Sequence, residues 1–142
     1  MRNVLRDSVT QRTKLDVAAG TTAIDGDVFD ALGFTNVVHT TLLGALVDTQ
    51  TTVVKAQHGD LADGSDMADI TNASYTVLDT DDDDIVQIEL YKITKRYHRT
   101  RITRGVANSA IDGILTTGYN DRMKPDSGLV GATVAAVKVV QG

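Results

Sequence analysis

What most limits the fold of this chain is a series of alternating, β-branched segments broken by Asp, Gly and Asn, with Pro125 as the only proline. Branched side chains are stiff at χ1 and suit a pleated strand better than a helix. In residues 52–58, Val54 and Ala56 fall on one side, and Val53, Lys55 and Gln57 on the other. In residues 85–93, Val86, Ile88 and Leu90 point inward, and Gln87 and Glu89 outward. From 9 to 17, Val9, Thr13, Leu15 and Val17 share a face opposite Thr10, Arg12, Lys14 and Asp16. A period of two reads as a half-buried strand.

Residues 36–47 are apolar or Thr on both faces, with Val37, Thr41 and Leu43 against Val38, Leu42 and Leu46. Such a strand is either central in a sandwich or covered by another chain. Further strands are expected at 75–78, at 96–104 with charge on both faces, at 109–119, and at 133–140, where the valines favour strand over helix. Residues 28–32 read as a short helical turn or a strand end, stopped by Gly33. Turns or loops are expected at 19–22, 26–27, 59–69, 79–84 and 120–126. About seven to nine short strands between turn signals predict an all-β fold. The expected architecture is an antiparallel β-sandwich or barrel, jelly-roll or tulip-like, with extended terminal arms. The length of 142 residues fits one domain over 1–142, with segments 1–20 and 128–142 as inter-subunit arms.

Composition narrows the function classes. Hydrophobic residues at 42% and charged residues at 23% fit a globular chain. Aromatics are only 4%, so Val, Leu, Ile and Ala must fill the core, which suits a thin packing or one completed by neighbouring subunits. A net charge of −5 argues against a general phosphate binder but leaves a local basic patch open. With no cysteine, disulfides, zinc–thiolate sites and thiol nucleophiles are excluded, and the redox compartment is unreadable. Residues 1–7 are basic without an apolar run behind them, so no secretory signal is expected. No stretch approaches the ~20 apolar residues of a membrane helix.

Two acidic clusters invite a metal. Asp60, Asp63, Asp66 and Asp69 lie in one loop, and Asp79 with Asp81, Asp82, Asp83 and Asp84 in another. Calcium takes several oxygen ligands from a wrapping loop, which makes Asp60, Asp63, Asp66, Asp81 and Asp83 the candidates. The spacing does not match an EF-hand, and solvated loops closed by Asx turns account for it better. No cofactor and no metal are therefore expected. Lys92, Lys95, Arg96, Arg99, Arg101 and Arg104 form a basic stretch interleaved with Tyr91, Tyr97 and His98. Such a stretch can stack bases and pair phosphates. No basic residue lies between Lys55 and Lys92, where the acidic clusters are, and such separation also suits charge pairing between subunits. The negative net charge favours the second reading. Interface candidates are then Arg96, Tyr97, Arg99, Arg101 and Arg104, with Val134, Val137 and Val139 of the apolar tail.

His39, His58 and His98 are widely spaced, and the sequence alone does not bring them together. None of Ser8, Ser65, Ser74, Ser109 and Ser127 sits in a nucleophile elbow. Residues 128–131 lack the Lys and Ser/Thr of a phosphate loop. Catalysis is not expected, and no catalytic residue is assigned. A sugar-binding platform would have to come from four tyrosines and two phenylalanines, without tryptophan.

Three stretches read together: 53–60 (VVKAQHGD), 64–70 (GSDMADI) and 95–103 (KRYHRTRIT). They resemble a pattern in small structural virion proteins of tailed bacteriophages, the head-decoration or cement proteins. There a strand with V-K-x-Q enters a D-G-S loop and a later strand carries K-R-Y-x-R. The resemblance covers about residues 50–105. It implies a β-rich homotrimer on the outer capsid surface of a virion, made in the host cytoplasm. Its partners would be the major capsid protein and itself, with no membrane and no nucleic acid, and it would bridge neighbouring capsid subunits. Many weak copies bound together would raise apparent affinity, and terminal strands can add to a neighbour's sheet. The alternatives are a head–tail connector or tail component and, from another class, a calcium- or carbohydrate-binding β-module.

Overall fold

The computed structural model describes residues 7–120 and 134–142. They form strands β1 (Ser8–Lys14), β2 (Val17–Gly20), β3 (Ile24–Asp25), β4 (Phe29–Asp30), β5 (Asn36–Leu46) and β6 (Val53–Gly59). These are followed by β7 (Ala68–Thr76), β8 (Ile85–Tyr91), β9 (Tyr97–Thr103), β10 (Ser109–Tyr119) and β11 (Val134–Gln141). The larger sheet runs β1-β10-β5-β8-β11, with β2 also on β10; the smaller runs β3-β9-β6-β7, with β4 also on β9. The two sheets pack face to face, so the all-β expectation resolves to a sandwich. Among the described residues all pairings are antiparallel except β11 on β8.

Strand β5 is central, between β10 and β8, which accounts for its two apolar faces. Its inward side holds Val37, His39, Thr41 and Leu43, all buried. Val86, Ile88 and Leu90 of β8 are fully buried beside them, as the period of two requires. Across the gap, β6 and β9 supply Val54, Ala56 and Ile102. A smaller cluster of Phe29, Ala31 and Val37 fills one end. Polar pairs sit inside this aliphatic core: Thr13 with Thr116 at 3.1 Å, and Thr52 with Ser109 at 2.8 Å.

Several elements differ from expectation. The strand expected over 9–17 breaks into β1 and β2, both on β10, with a register shift between Arg12 and Lys14. That shift destroys the simple alternation, so Thr13 is buried while Val9 and Leu15 are exposed. Ala19 and Gly20, expected in a turn, end β2. Residues 29–30 are a strand pair to His98 and Tyr97 of β9. Strand β7 begins at Ala68, inside the stretch expected to be loop. Asn72 in its middle has φ of 65°, and the pairing with β6 shifts between Lys55 and Gln57. Glu89 does lie on the outer face of the larger sheet, yet it is buried between its register partners Val38 and Val139. Burial raises its carboxyl pKa.

Of the expected arms, residues 1–6 and 128–133 lie outside the described residues. Residues 8–20 and 134–141 pair within the chain's own larger sheet.

Candidate interaction surface

The outer face of the smaller sheet collects the charge. On β9 the even positions His98, Thr100 and Ile102 are buried, so the odd positions Tyr97, Arg99, Arg101 and Thr103 face outward. The expectation of charge on both faces of this strand is therefore corrected: the inner face carries histidine, threonine and isoleucine. Register places Lys55 beside Arg101 and Gln57 beside Arg99 on β6, with Asp69 of β7 opposite Gln57.

These side chains form a network across four strands. Arg99 Nε donates to Gln57 Oε1 at 2.7 Å, and Gln57 Nε2 donates to Asp69 Oδ1 at 2.7 Å. Lys55 Nζ donates to Asp69 Oδ2 at 3.0 Å. Arg101 Nη1 reaches both oxygens of Asp25, which β3 holds opposite it, at 2.8 and 3.0 Å. The Gln57 amide, and then the Lys55 ammonium, hold the Asp69 carboxyl below its ordinary range. Gln57, uncharged and buried, joins Arg99 to Asp69.

A second group lies at the corner where β4 meets β9. Arg96 donates to Asp30 through Nε at 2.8 Å and Nη2 at 2.7 Å, and its guanidinium lies 5.0 Å from the Tyr97 ring centroid. This two-point contact is the leading cause of the lowered Asp30 pKa. Lys95 Nζ donates to Asp60 at 2.6 Å.

Within the chain these arginines already have carboxylates beside them. Arg96, Arg99 and Arg101 meet Asp30 and Asp25, aspartates of the first third that sequence reasoning passed over. Their signal was weak, because each sits in a two-residue strand set by pairing to β9 and not by any local pattern. Arg104 is no surface residue. It is 9% exposed and donates to the carbonyls of Ala18, Thr22 and Ser109 at 2.6–3.0 Å. Val139 is exposed on β11, while the side chains of Val134 and Val137 lie outside the described residues.

The acidic loops fasten themselves. Asp66 accepts from the backbone N–H groups of Asp60 and Leu61 at 2.7 and 3.1 Å, and Asp63 from that of Ser65 at 3.0 Å. Asp81 accepts from the Leu78 N–H and the Tyr75 hydroxyl, at 2.8 and 3.0 Å. Burial, then Asp81, pushes Tyr75 up to about 12. Asp83 adopts a left-handed φ of 58° at the turn. Among the described residues no group of three His, Asp or Glu is arranged to hold a metal ion.

Comparison with known proteins finds no matching family model and no matching curated protein.

One convergence was not legible in the sequence. His58 of β6 and His98 of β9 are register partners, and His39 of β5 meets His98 from the other sheet. His58 and His98 lie behind the charged face, on the inner sides of β6 and β9.

Proposed function

We propose that this chain is a structural virion protein of a tailed phage. It decorates the outer capsid surface as a homotrimer and stabilises the shell by bridging neighbouring capsid subunits. One observation carries the reading. The three stretches that resemble decoration proteins, 53–60, 64–70 and 95–103, come together on β6, the following loop, β7 and β9 as one face. Lys55, Gln57, Asp69, Lys95, Arg96 and Arg99, drawn from those stretches, hold that face through the contacts described above.

A surface of alternating charge carried on paired strands suits a protein lattice. Rim charges of both signs fix orientation and register more than they add affinity, and many copies bound together supply the rest. Phosphate is a poorer match, since each outward arginine of the strand already has a carboxylate beside it and the chain is net negative.

Co-sedimentation of the purified chain with capsid shells that lack it tests the proposal. Saturable binding at a copy number that follows the capsid lattice is expected. Binding at one vertex only would move the chain to the head–tail connector, and no binding to shells or tails would overturn both assignments.

A further inference from the structure

His39 and His98 face each other across the two sheets with ring centroids 6.2 Å apart, and His58 lies 6.1 Å from His98. His39 and His98 are 1% and 0% exposed, whereas His58 is half-buried. His39 Nδ1 meets the Thr100 hydroxyl at 2.9 Å, and His98 Nε2 donates to the Lys95 carbonyl at 2.8 Å. The remaining nitrogens, His39 Nε2 and His98 Nδ1, are buried without a partner, as is His58 Nδ1.

We propose that this row is an acid-operated latch: neutral imidazoles let the two sheets close at this end, and protons entering through His58 open it. The end concerned is the one formed by residues 31–35, 60–67 and 92–96.

The surroundings of the row decide what protonation does. On β5 and β9 its neighbours are Thr41 and Thr100; its register partners are Thr116 on β10, Ile88 on β8 and Phe29 on β4. None of these carries charge. The charged groups are Lys95 and Asp60, paired with each other at the His58 end, with Asp66 behind them against Gly59. No carboxylate acts on His39 or His98. A proton on His98 would create an Nδ1–H with no acceptor, inside a core that cannot solvate the charge. A proton on His39 would add a like charge beside it. Burial, reinforced by the neighbouring ring, accordingly holds His39 down to about 3 and is the leading cause that holds His98 down to about 4. His58 is the route in, because it alone of the three reaches solvent. Opening here would also release the Lys95–Asp60 and Arg96–Asp30 corner of the charged face, coupling pH to partner binding. The latch itself does not depend on which partner that is.

Hydrogen exchange of the full chain at about pH 7.5 and about pH 5, corrected for intrinsic rates, tests it. Residues 57–59 and 97–99 should exchange about tenfold faster or more at the lower pH, given ~1.4 kcal/mol per pH unit for each excluded proton. Residues 53–54, 102–103 and 109–111, at the other end, should keep their protection. The variant His39→Gln/His98→Gln should lose the acid response. Should that variant not fold, proton NMR of the wild-type rings decides: His39 and His98 must stay neutral for as long as the end is closed. Equal loss of protection at both ends, no change with pH, or both rings titrating near 6.5 in an intact fold would each overturn the proposal.

Discussion

Arg101 Nη1 contacts both carboxylate oxygens of Asp25, at 2.8 and 3.0 Å, and so ties β9 to the first third of the chain. Both side chains remain partly exposed, at 34% and 44%. Exposed pairs of this kind typically contribute only about 0–1 kcal/mol. A double-mutant cycle with Asp25→Asn and Arg101→Gln should therefore give a coupling below about 1 kcal/mol in urea unfolding, decreasing with salt. The small value matters for function, because a weakly held guanidinium can exchange its carboxylate for a partner's at little cost.

Arg104 behaves oppositely. Its guanidinium satisfies three backbone carbonyls where β2, the crossover to β3 and β10 converge. Arg104→Met should cost about 3 kcal/mol in chemical denaturation, since it strands buried carbonyls. Arg104→Lys should recover only part of that, because an ammonium cannot reproduce the planar fork.

Acid should destabilise the closed form of the sandwich through His39 and His98. Their folded pKa values, about 3 and about 4, lie below the ordinary 6.5. Above pH 6.5 both rings are neutral folded and unfolded, so stability is flat. As pH falls through 6.5 the unfolded chain binds protons that the native chain refuses, and stability drops until the folded values are reached. The closed form should lose about 4 kcal/mol between about pH 7.5 and about pH 5, and urea titrations should read a smaller loss because the latch end opens before the rest unfolds. Glu89, whose carboxyl burial raises, works in the opposite sense and makes the observed loss somewhat smaller.

Chelator should leave the melting temperature unchanged, as should added calcium. The carboxylates of Asp63, Asp66 and Asp81 are engaged with the backbone of their own loops, and that of Asp60 with Lys95. A calcium-dependent rise in melting temperature of several degrees would show that the loops can rearrange into a site.

Much of the sandwich could be read from the residues. Strands β5, β6, β8 and β10 follow the period of two, or the two-sided apolar pattern, closely enough to be placed within a residue or two. Strand β7 was missed for most of its length, since the left-handed Asn72 and the shift opposite Lys55 break the alternation on which the reading relied. Strands β3 and β4 have two residues each, so no periodicity exists to find; pairing with β9 creates them. That in turn hid Asp25 and Asp30, and the arginines were assigned partners in another subunit. The histidine row depends on register within one sheet and contact between two, which local pattern does not encode.

The central claim is that the outer face of the smaller sheet meets the shell. Covalent labelling of lysines, read by mass spectrometry on the free and the shell-bound chain, tests it most directly. The account predicts that Lys55 and Lys95, both held in that face and its corner, lose labelling on binding. Lys14, on β1 of the larger sheet, should keep its own. Protection of Lys14 with Lys55 and Lys95 unchanged would place the contact on the other sheet and contradict the account.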